Sequence, residues 1–409
     1  MTQRLKIFAS ILLALGTAGT ATAQQPQTLT LAEALARAEK QNLDLQAARA
    51  QRAVALAGVR IAGQRPNPTA FFGVLRDTPH ESLFFDQPIE IGGRRGKRIE
   101  LAKQESALTE SSIAALERQL RREVRIAYFS LAFARRVTAQ KHEAAKLAAR
   151  LKEIAQARFE SGDIAHLEVT QAELELSRAN ADAQVAKREE DIALSQLDVL
   201  LNAPASTSWD LATGLDGLPQ PLSLEALVGK ATDSNAEIAR LLQEMKVEES
   251  KTGLLKAERI PNLGVEFGVD FNSPGPGGFH EGGRGQISME LPLFTRNQGE
   301  IAQSTSKLRA LEQETAAKRR AVAGQVESAY YQLNAREAEV NLYKLTLVPA
   351  TKQLEELAEE SYKSGKANIL TVLGAQRDVR QVESEYLISL LAMQTSFAEL
   401  EETTGAPLD

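Results

Sequence analysis

Arg65-Pro66-Asn67-Pro68-Thr69-Ala70-Phe71-Phe72-Gly73-Val74 returns further along the chain as Ile260-Pro261-Asn262-Leu263-Gly264-Val265-Glu266-Phe267-Gly268-Val269. Outward from this pair the chain keeps matching itself in the same order. Ser161-Gly162 answers to Ser364-Gly365, Ala127-Tyr128-Phe129-Ser130-Leu131 to Ala329-Tyr330-Tyr331-Gln332-Leu333, and Ala203-Pro204 to Ala406-Pro407. Residues 29 to 204 and 222 to 407 therefore read as one unit written twice, and an internal repeat constrains the fold before any local detail does. The expected division is a leader at 1–23, a first repeat at 24–204, a linker at 205–221 and a second repeat at 222–409.

Within each unit the expected order is a helix, two extended segments, a helix nearly twice as long, a tight turn and a helix of intermediate length. These fall near 31–65, 67–92, 97–160, 161–166 and 167–202, and again near 224–259, 262–294, 299–362, 363–368 and 369–404. The helices rest on spacing. Ala375, Val379, Val382, Tyr386, Leu390, Met393, Phe397 and Leu400 follow at steps of three or four, a seam that a neighbouring helix fills. Leu116, Leu120, Val124, Ala127 and Leu131 do the same on the long helix. A helix of about 64 residues spans on the order of 95 Å, close to the combined length of the two shorter ones. That equality predicts a wall in which continuous helices alternate with stacked shorter helices.

The extended segments alternate with period two. Leu263, Val265, Phe267, Val269 and Phe271 share one face of a strand, with Gly264, Glu266, Gly268 and Asp270 on the other. Ile287, Met289, Leu291 and Leu293 oppose Gln286, Ser288 and Glu290, while Leu83, Phe85, Ile89 and Ile91 oppose Phe84, Asp86 and Glu90. Strands of roughly 9 to 11 residues with one apolar and one polar face suit a membrane barrel. Four strands cannot close a barrel, and an open edge is not tolerated in lipid, so several chains are expected to pool theirs. Asp86, Glu90, Glu266, Asp270 and Glu290 are then the expected lumen-facing acids, giving an interior that favours cations.

Composition narrows the class. The 409 residues carry a formal charge of −6 with 25% charged residues, which leaves no basic footprint for nucleic acid. Arg4 and Lys6, the apolar run Ile7 to Leu15, and Ala21-Thr22-Ala23 before Gln24 read as a secretory signal peptide. No long apolar run follows it. Cysteine is absent, so disulfides and a cysteine-linked lipid anchor are not expected. His80, His142, His166 and His280 are scattered without metal-ligand spacing, and no phosphate loop or nucleophile elbow is present. Neither an enzyme nor a cofactor is expected. Arg94, Arg95, Lys97 and Arg98 read as lying just before a helix start, where positive charge opposes the helix dipole; anionic headgroups at a barrel rim are their expected partners.

The duplicated helix and hairpin layout resembles the TolC-type outer-membrane efflux factors. Gln87-Pro88-Ile89-Glu90-Ile91-Gly92-Gly93-Arg94-Arg95-Gly96-Lys97-Arg98 and Leu291-Pro292-Leu293-Phe294-Thr295-Arg296-Asn297-Gln298-Gly299-Glu300-Ile301 are similar to the cobalt-zinc-cadmium resistance branch. The resemblance implies a mainly α fold with a β-barrel contribution: a homotrimer sharing a twelve-stranded barrel in outer-membrane lipid, a twelve-helix periplasmic tunnel, and a belt formed partly by the linker that holds Trp209. It also implies a passive exit duct served by a periplasmic adaptor (membrane fusion) protein and an inner-membrane RND-type pump. Divalent heavy-metal cations are the implied cargo, with drugs or organic solutes as the alternative; helical hairpins alone would also permit a soluble periplasmic coiled-coil adaptor. Arg158, Gly162, Asp163, Ser364 and Gly365 match the tip turns where the adaptor docks. Tyr362 and Glu168 match the links that hold the tip closed, Lys366 lies beside Ala367 at the basic gate position, and Thr371 and Gly374 stand where the family's best-known member has an aspartate ring.

Overall fold

The computed structural model describes residues 27–74, 76–77, 79–218, 223–275, 278–364 and 366–408. The proposed signal peptide, the end of the linker and Gly365 lie outside them. The first repeat runs α1 (Leu31–Gln41), α2 (Leu43–Ala62), β2 (Thr69–Val74), β3 (Glu81–Ile89), α3 (Arg94–Glu160) and α4 (His166–Leu200). The second runs α5 (Leu224–Ser234), α6 (Ala236–Ala257), β5 (Leu263–Gly275), β6 (Gly278–Met289), α7 (Gln298–Leu342), α8 (Val348–Lys363) and α9 (Ile369–Thr404). Two short strands, β1 (Gln27–Leu29) before the first repeat and β4 (Trp209–Leu211) in the linker, pair in parallel.

The continuous helices expected at 31–65 and 224–259 are each broken once, by asparagine. Asn42 and Asn235 have extended backbones, and their Oδ1 atoms accept hydrogen bonds from Leu45 N and from Glu237 N and Ile238 N, capping α2 and α6. Each Nδ2 reaches into the other end of its own repeat. Asn42 donates to Leu200 O at 3.2 Å, and Asn235 donates to Thr403 O at 3.1 Å. One amide thus satisfies the amino terminus of one helix and the carboxyl terminus of another, groups that helices leave without internal partners. The joint sets α4 against the start of α2, and α9 against the start of α6, head to tail.

The last residue of that joint is in the left-handed region in both repeats, Asn202 with φ 48° and Gly405 with φ 75°. These are the residue types that tolerate a left-handed helix end. Glycine is required at the second because a Cβ there would lie 2.5 Å from Ser234 O. Ala-Pro follows each, at Ala203-Pro204 and Ala406-Pro407, where proline stops the helix.

The long helices differ between repeats. The first begins at Arg94, three residues earlier than expected, and runs uninterrupted for 67 residues. The second, expected as one helix over 299–362, contains a π turn at Tyr343–Leu347. Pro349 supplies the cause, since it has no N–H for the preceding turn and a wider turn relieves its clash. Val348 N bonds to Tyr343 O across the widened turn.

The main core lies midway along the helices, where Tyr128, Phe129, Leu131, Leu197, Leu390 and Phe397 are fully buried. The linker is laced into it. Trp209 Nε1 donates to Asp198 Oδ1 at 2.8 Å, Tyr128 Oη donates to Leu29 O and accepts from Thr213 N, and Gln394 Nε2 donates to Leu215 O and Gly217 O. Arg125, 3% exposed, pairs with Glu401 and lies 4.3 Å over the Phe397 ring, tying α3 to α9.

Asn42→Ala and Asn235→Ala each remove a cap and leave a carbonyl short of a donor, so each is expected to cost about 1 kcal/mol. Denaturant unfolding of the two single variants and the double variant checks this; Asn→Asp, which keeps the cap and loses the Nδ2 donor, should recover part of the loss.

Candidate functional site

Two regions carry the expected functional residues, the sheet at one end of the helices and the pair of turns at the other. The sheet has the order β2-β3-β5-β6, antiparallel throughout, and is open at β2 and β6. Residues directly opposite share a face, so the register sorts every side chain. Thr69, Asp86, Glu266 and Gln286 form one row, Phe71, Phe84, Gly268 and Arg284 the next, and Gly73, Ser82, Asp270 and Gly282 a third. The opposite face carries Phe72, Val74, Leu83, Phe85, Ile89, Leu263, Val265, Phe267, Val269, Ile287 and Met289. On that apolar face Phe72 is 69% exposed and Ile287 71%.

Three of the five expected lumen acids, Asp86, Glu266 and Asp270, come together on the polar face. Asp86 and Glu266 are directly opposite, an arrangement of like charges that costs stability. Arg284 sits 3.6 Å from Glu266 and 4.6 Å over the Phe84 ring, the counter-charge on that face. Glu90 and Glu290 each lie one residue beyond the ends of their strands, outside the paired rows. The strands stop at Ile89 and Met289 because Pro292 and the left-handed Gly92 and Gly93 turn the chain toward α7 and α3.

Glu90 is instead a helix-joint residue. Arg98 Nη1 pairs with Glu90 Oε1 at 2.5 Å, and the same guanidinium donates to Ala62 O and Gln64 O at the end of α2. Arg95 donates to Gly63 O, and Arg94 to Glu258 O and Asn262 Oδ1 at the end of α6. The arginines of the basic run expected at anionic headgroups thus sit in the first two turns of α3 and serve two neighbouring helix carboxyl termini, whose carbonyls attract cations. The opposed dipole of α3 itself is outweighed by those two ends and by Glu90.

At the other end Gly162, with φ 83°, and Asp163 form the first turn, and Ser161 Oγ bonds to Arg158 O and Asp163 Oδ2. Ser364 closes α8, and Lys366 N bonds to Ser361 O. Tyr362 is buried in a small second core with Leu151, Ala155, Val169, Ala172, Val372 and Leu373, and the Arg158 guanidinium lies 5.1 Å over its ring. The phenol oxygen has no hydrogen-bond partner among the described residues. Glu168, in the first turn of α4, is therefore not bonded to Tyr362 within one chain, although Val169 beside it touches the same core. Among the described residues no cluster of histidine, cysteine and carboxylate side chains is set to hold a metal ion.

Farther from the tip, Glu355 on α8 faces Glu359 and Glu383. Burial first, then repulsion from those two carboxylates, raises its carboxyl above the usual range. The asparagine joints, the π turn and the surroundings of Glu355 were not read from the sequence. The signals present were Asn42 and Asn235 interrupting helical runs two residues before an acid, and Pro349 inside a long helical pattern.

This arrangement, two long helical hairpins carrying an open two-faced sheet, is a fold shared with solved outer-membrane channels. The chain belongs to the outer membrane efflux protein family, whose model matches residues 34–203 and 227–406, once in each repeat. It is an outer-membrane efflux channel protein that extends into the periplasm. It is 28% identical over 364 residues to the cobalt-zinc-cadmium resistance protein CzcC of Cupriavidus metallidurans, covering 88% of this chain and 86% of that one. It is also 28% identical over 254 residues to the nickel-cobalt-cadmium resistance protein NccC of Alcaligenes xylosoxydans xylosoxydans, covering 59% and 55% respectively. Among solved structures CusC, described in terms of transmembrane channel formation, shares the fold with a TM-score of 0.75 over 92% of each chain at 17% identity.

A raised folded-state pKa means the native state holds its proton more tightly than the unfolded chain does. Glu355 therefore contributes stability below the ordinary carboxylate value of 4.5, and that contribution is lost as pH rises through the elevated value. Glu355→Gln is expected to stabilise the helices near neutral pH by no more than about 0.5 kcal/mol and to flatten the acid side of the stability profile, measured by thermal unfolding from pH 4 to 8.

Proposed function

We propose that three copies of this chain assemble into a passive exit duct for divalent metal cations, and the observation that carries the reading is the open, two-faced sheet. Three four-stranded sheets joined edge to edge, β6 of one copy to β2 of the next, would close a twelve-stranded barrel and remove every exposed edge. The apolar face would meet lipid and the polar face would line the lumen. The helices carry unpartnered apolar stripes that favour the same assembly. Leu167, Leu174, Val185, Ile192 and Val199 are exposed along one face of α4, and Leu354 and Leu357 on α8.

Metal cargo rests on the similarity to CzcC and NccC and on chemistry at the sheet. Asp86, Glu266 and Asp270 repeated three times would hold a negative potential around the lumen, which attracts divalent cations without binding them tightly. The duct itself performs no chemistry; an adaptor docked near Arg158, Gly162, Asp163, Ser364 and Gly365 and an RND-type inner-membrane pump would deliver the cargo. At the closed tip Tyr362 and Arg158 would brace one hairpin against the other within a copy. Glu168 and Lys366, both at the tip, would link copies. A soluble periplasmic adaptor is set aside by membership of the outer membrane efflux protein family.

Deletion of the coding sequence is expected to lower tolerance to cobalt, zinc or cadmium and leave drug tolerance unchanged; the opposite pattern in growth assays rejects metal cargo. Tyr362→Ala and Glu168→Ala are each expected to raise single-channel conductance in planar bilayers severalfold, and unchanged conductance in both removes these residues from the gate.

A further inference from the structure

The segment after β6 exposes more apolar surface than any soluble or lumen-facing role requires. Leu291 is 63% exposed, Leu293 67% and Phe294 90%. They continue a row already begun on the sheet, since Ile287, Met289, Leu291 and Leu293 follow at steps of two and the first two lie on the apolar face. The apolar face thus overshoots the strand by several residues. Its order does not come from burying these side chains. Leu293 N bonds to Leu291 O at 2.8 Å, Arg296 Nε to Pro292 O at 2.9 Å, Gln298 Nε2 to Phe294 O at 3.2 Å, and Asn297 Nδ2 to Leu255 O at 3.2 Å. The backbone is stapled by polar contacts while the apolar side chains stay outside.

Basic residues frame the same end of the sheet. Arg65 precedes β2, Arg259 precedes β5 and Arg296 follows β6, all three exposed. The neighbouring run Arg94, Arg95 and Arg98 is committed to helix ends. Exposed aliphatic and aromatic side chains with exposed arginines at the same end of the sheet, placed where strands give way to helices, have the composition of a membrane boundary, where rings sit among headgroups and guanidinium groups meet phosphates.

We infer that Leu291, Leu293 and Phe294 form an interfacial anchor seated in the phospholipid headgroup boundary of the periplasmic leaflet, with Arg296 against lipid phosphate. The anchor fixes the depth at which the sheet sits and holds the helices clear of the bilayer. It rests on the reading that the sheet crosses the outer membrane, and it adds a segment outside the strands to the lipid contact.

The chain has one tryptophan, Trp209, buried in the linker and bonded to Asp198, which gives a constant background for a second one. Phe294→Trp and, separately, Phe72→Trp on the apolar face of the sheet are placed in the full-length protein. Each is reconstituted in phosphatidylethanolamine–phosphatidylglycerol vesicles carrying lipids brominated either near the headgroup end or near the methyl end of the acyl chain. The anchor predicts that emission added by Phe294→Trp is lost mainly to shallow bromines, and that added by Phe72→Trp mainly to deep ones. Quenching at position 72 with none at 294 overturns the anchor while leaving the membrane sheet intact, and means that a neighbouring copy, an adaptor or water covers the segment. No quenching at either position overturns both.

Discussion

The sheet has a constraint that one chain cannot meet. Its backbone groups are paired between β2, β3, β5 and β6 but left open along two edges, and one face is mostly apolar, with Phe72, Val74, Phe267 and Ile287 exposed on it. In water such a sheet would aggregate through its edges, and in lipid each unpaired backbone group would cost several kcal/mol. The proposed pairing with further copies inside a membrane would answer both problems at once. The register is specific, because a slip of one residue along a strand would carry its acids, such as Asp86, onto the apolar face and its apolar residues, such as Phe85, onto the polar face.

The junction between sheet and helices is where electrostatics matters most. Four helix ends converge there, the carboxyl ends of α2 and α6 and the amino ends of α3 and α7. Placing Arg94, Arg95 and Arg98 in the first two turns of α3 opposes one dipole to satisfy two others, with Glu90 as a counter-ion whose side chain is only 10% exposed. Surface ion pairs contribute little, but guanidinium bonds to terminal carbonyls at a crowded joint also fix direction. The strands consequently leave the helices along a defined line.

Duplication gives the molecule matched joints and unmatched shafts. Asn42 with Leu200 and Asn235 with Thr403 are the same device used twice, and Asn202 and Gly405 finish it in the same backbone conformation. The long helices diverge: α3 is unbroken, whereas Pro349 forces a π turn between α7 and α8. The two hairpins that meet around Tyr362 therefore differ in the continuity of their long helices although their sequences are related.

Period and repetition were legible without coordinates. Steps of three and four along 369–404, steps of two along 263–271 and the paired Ser-Gly turns fixed the helices, the strands and their order, because those patterns follow from backbone geometry alone. The resemblance carried by Gln87–Arg98 and Leu291–Ile301 led to the family. Tertiary structure decided what depends on partners distant in sequence. Asn42 becomes a joint only because Leu200 lies beside it, Arg94, Arg95 and Arg98 find their partners because α2 and α6 end there, and Glu90 pairs with Arg98 just past the end of β3. A side chain's tendency is local, but the group it satisfies is chosen by the fold that brings the two together.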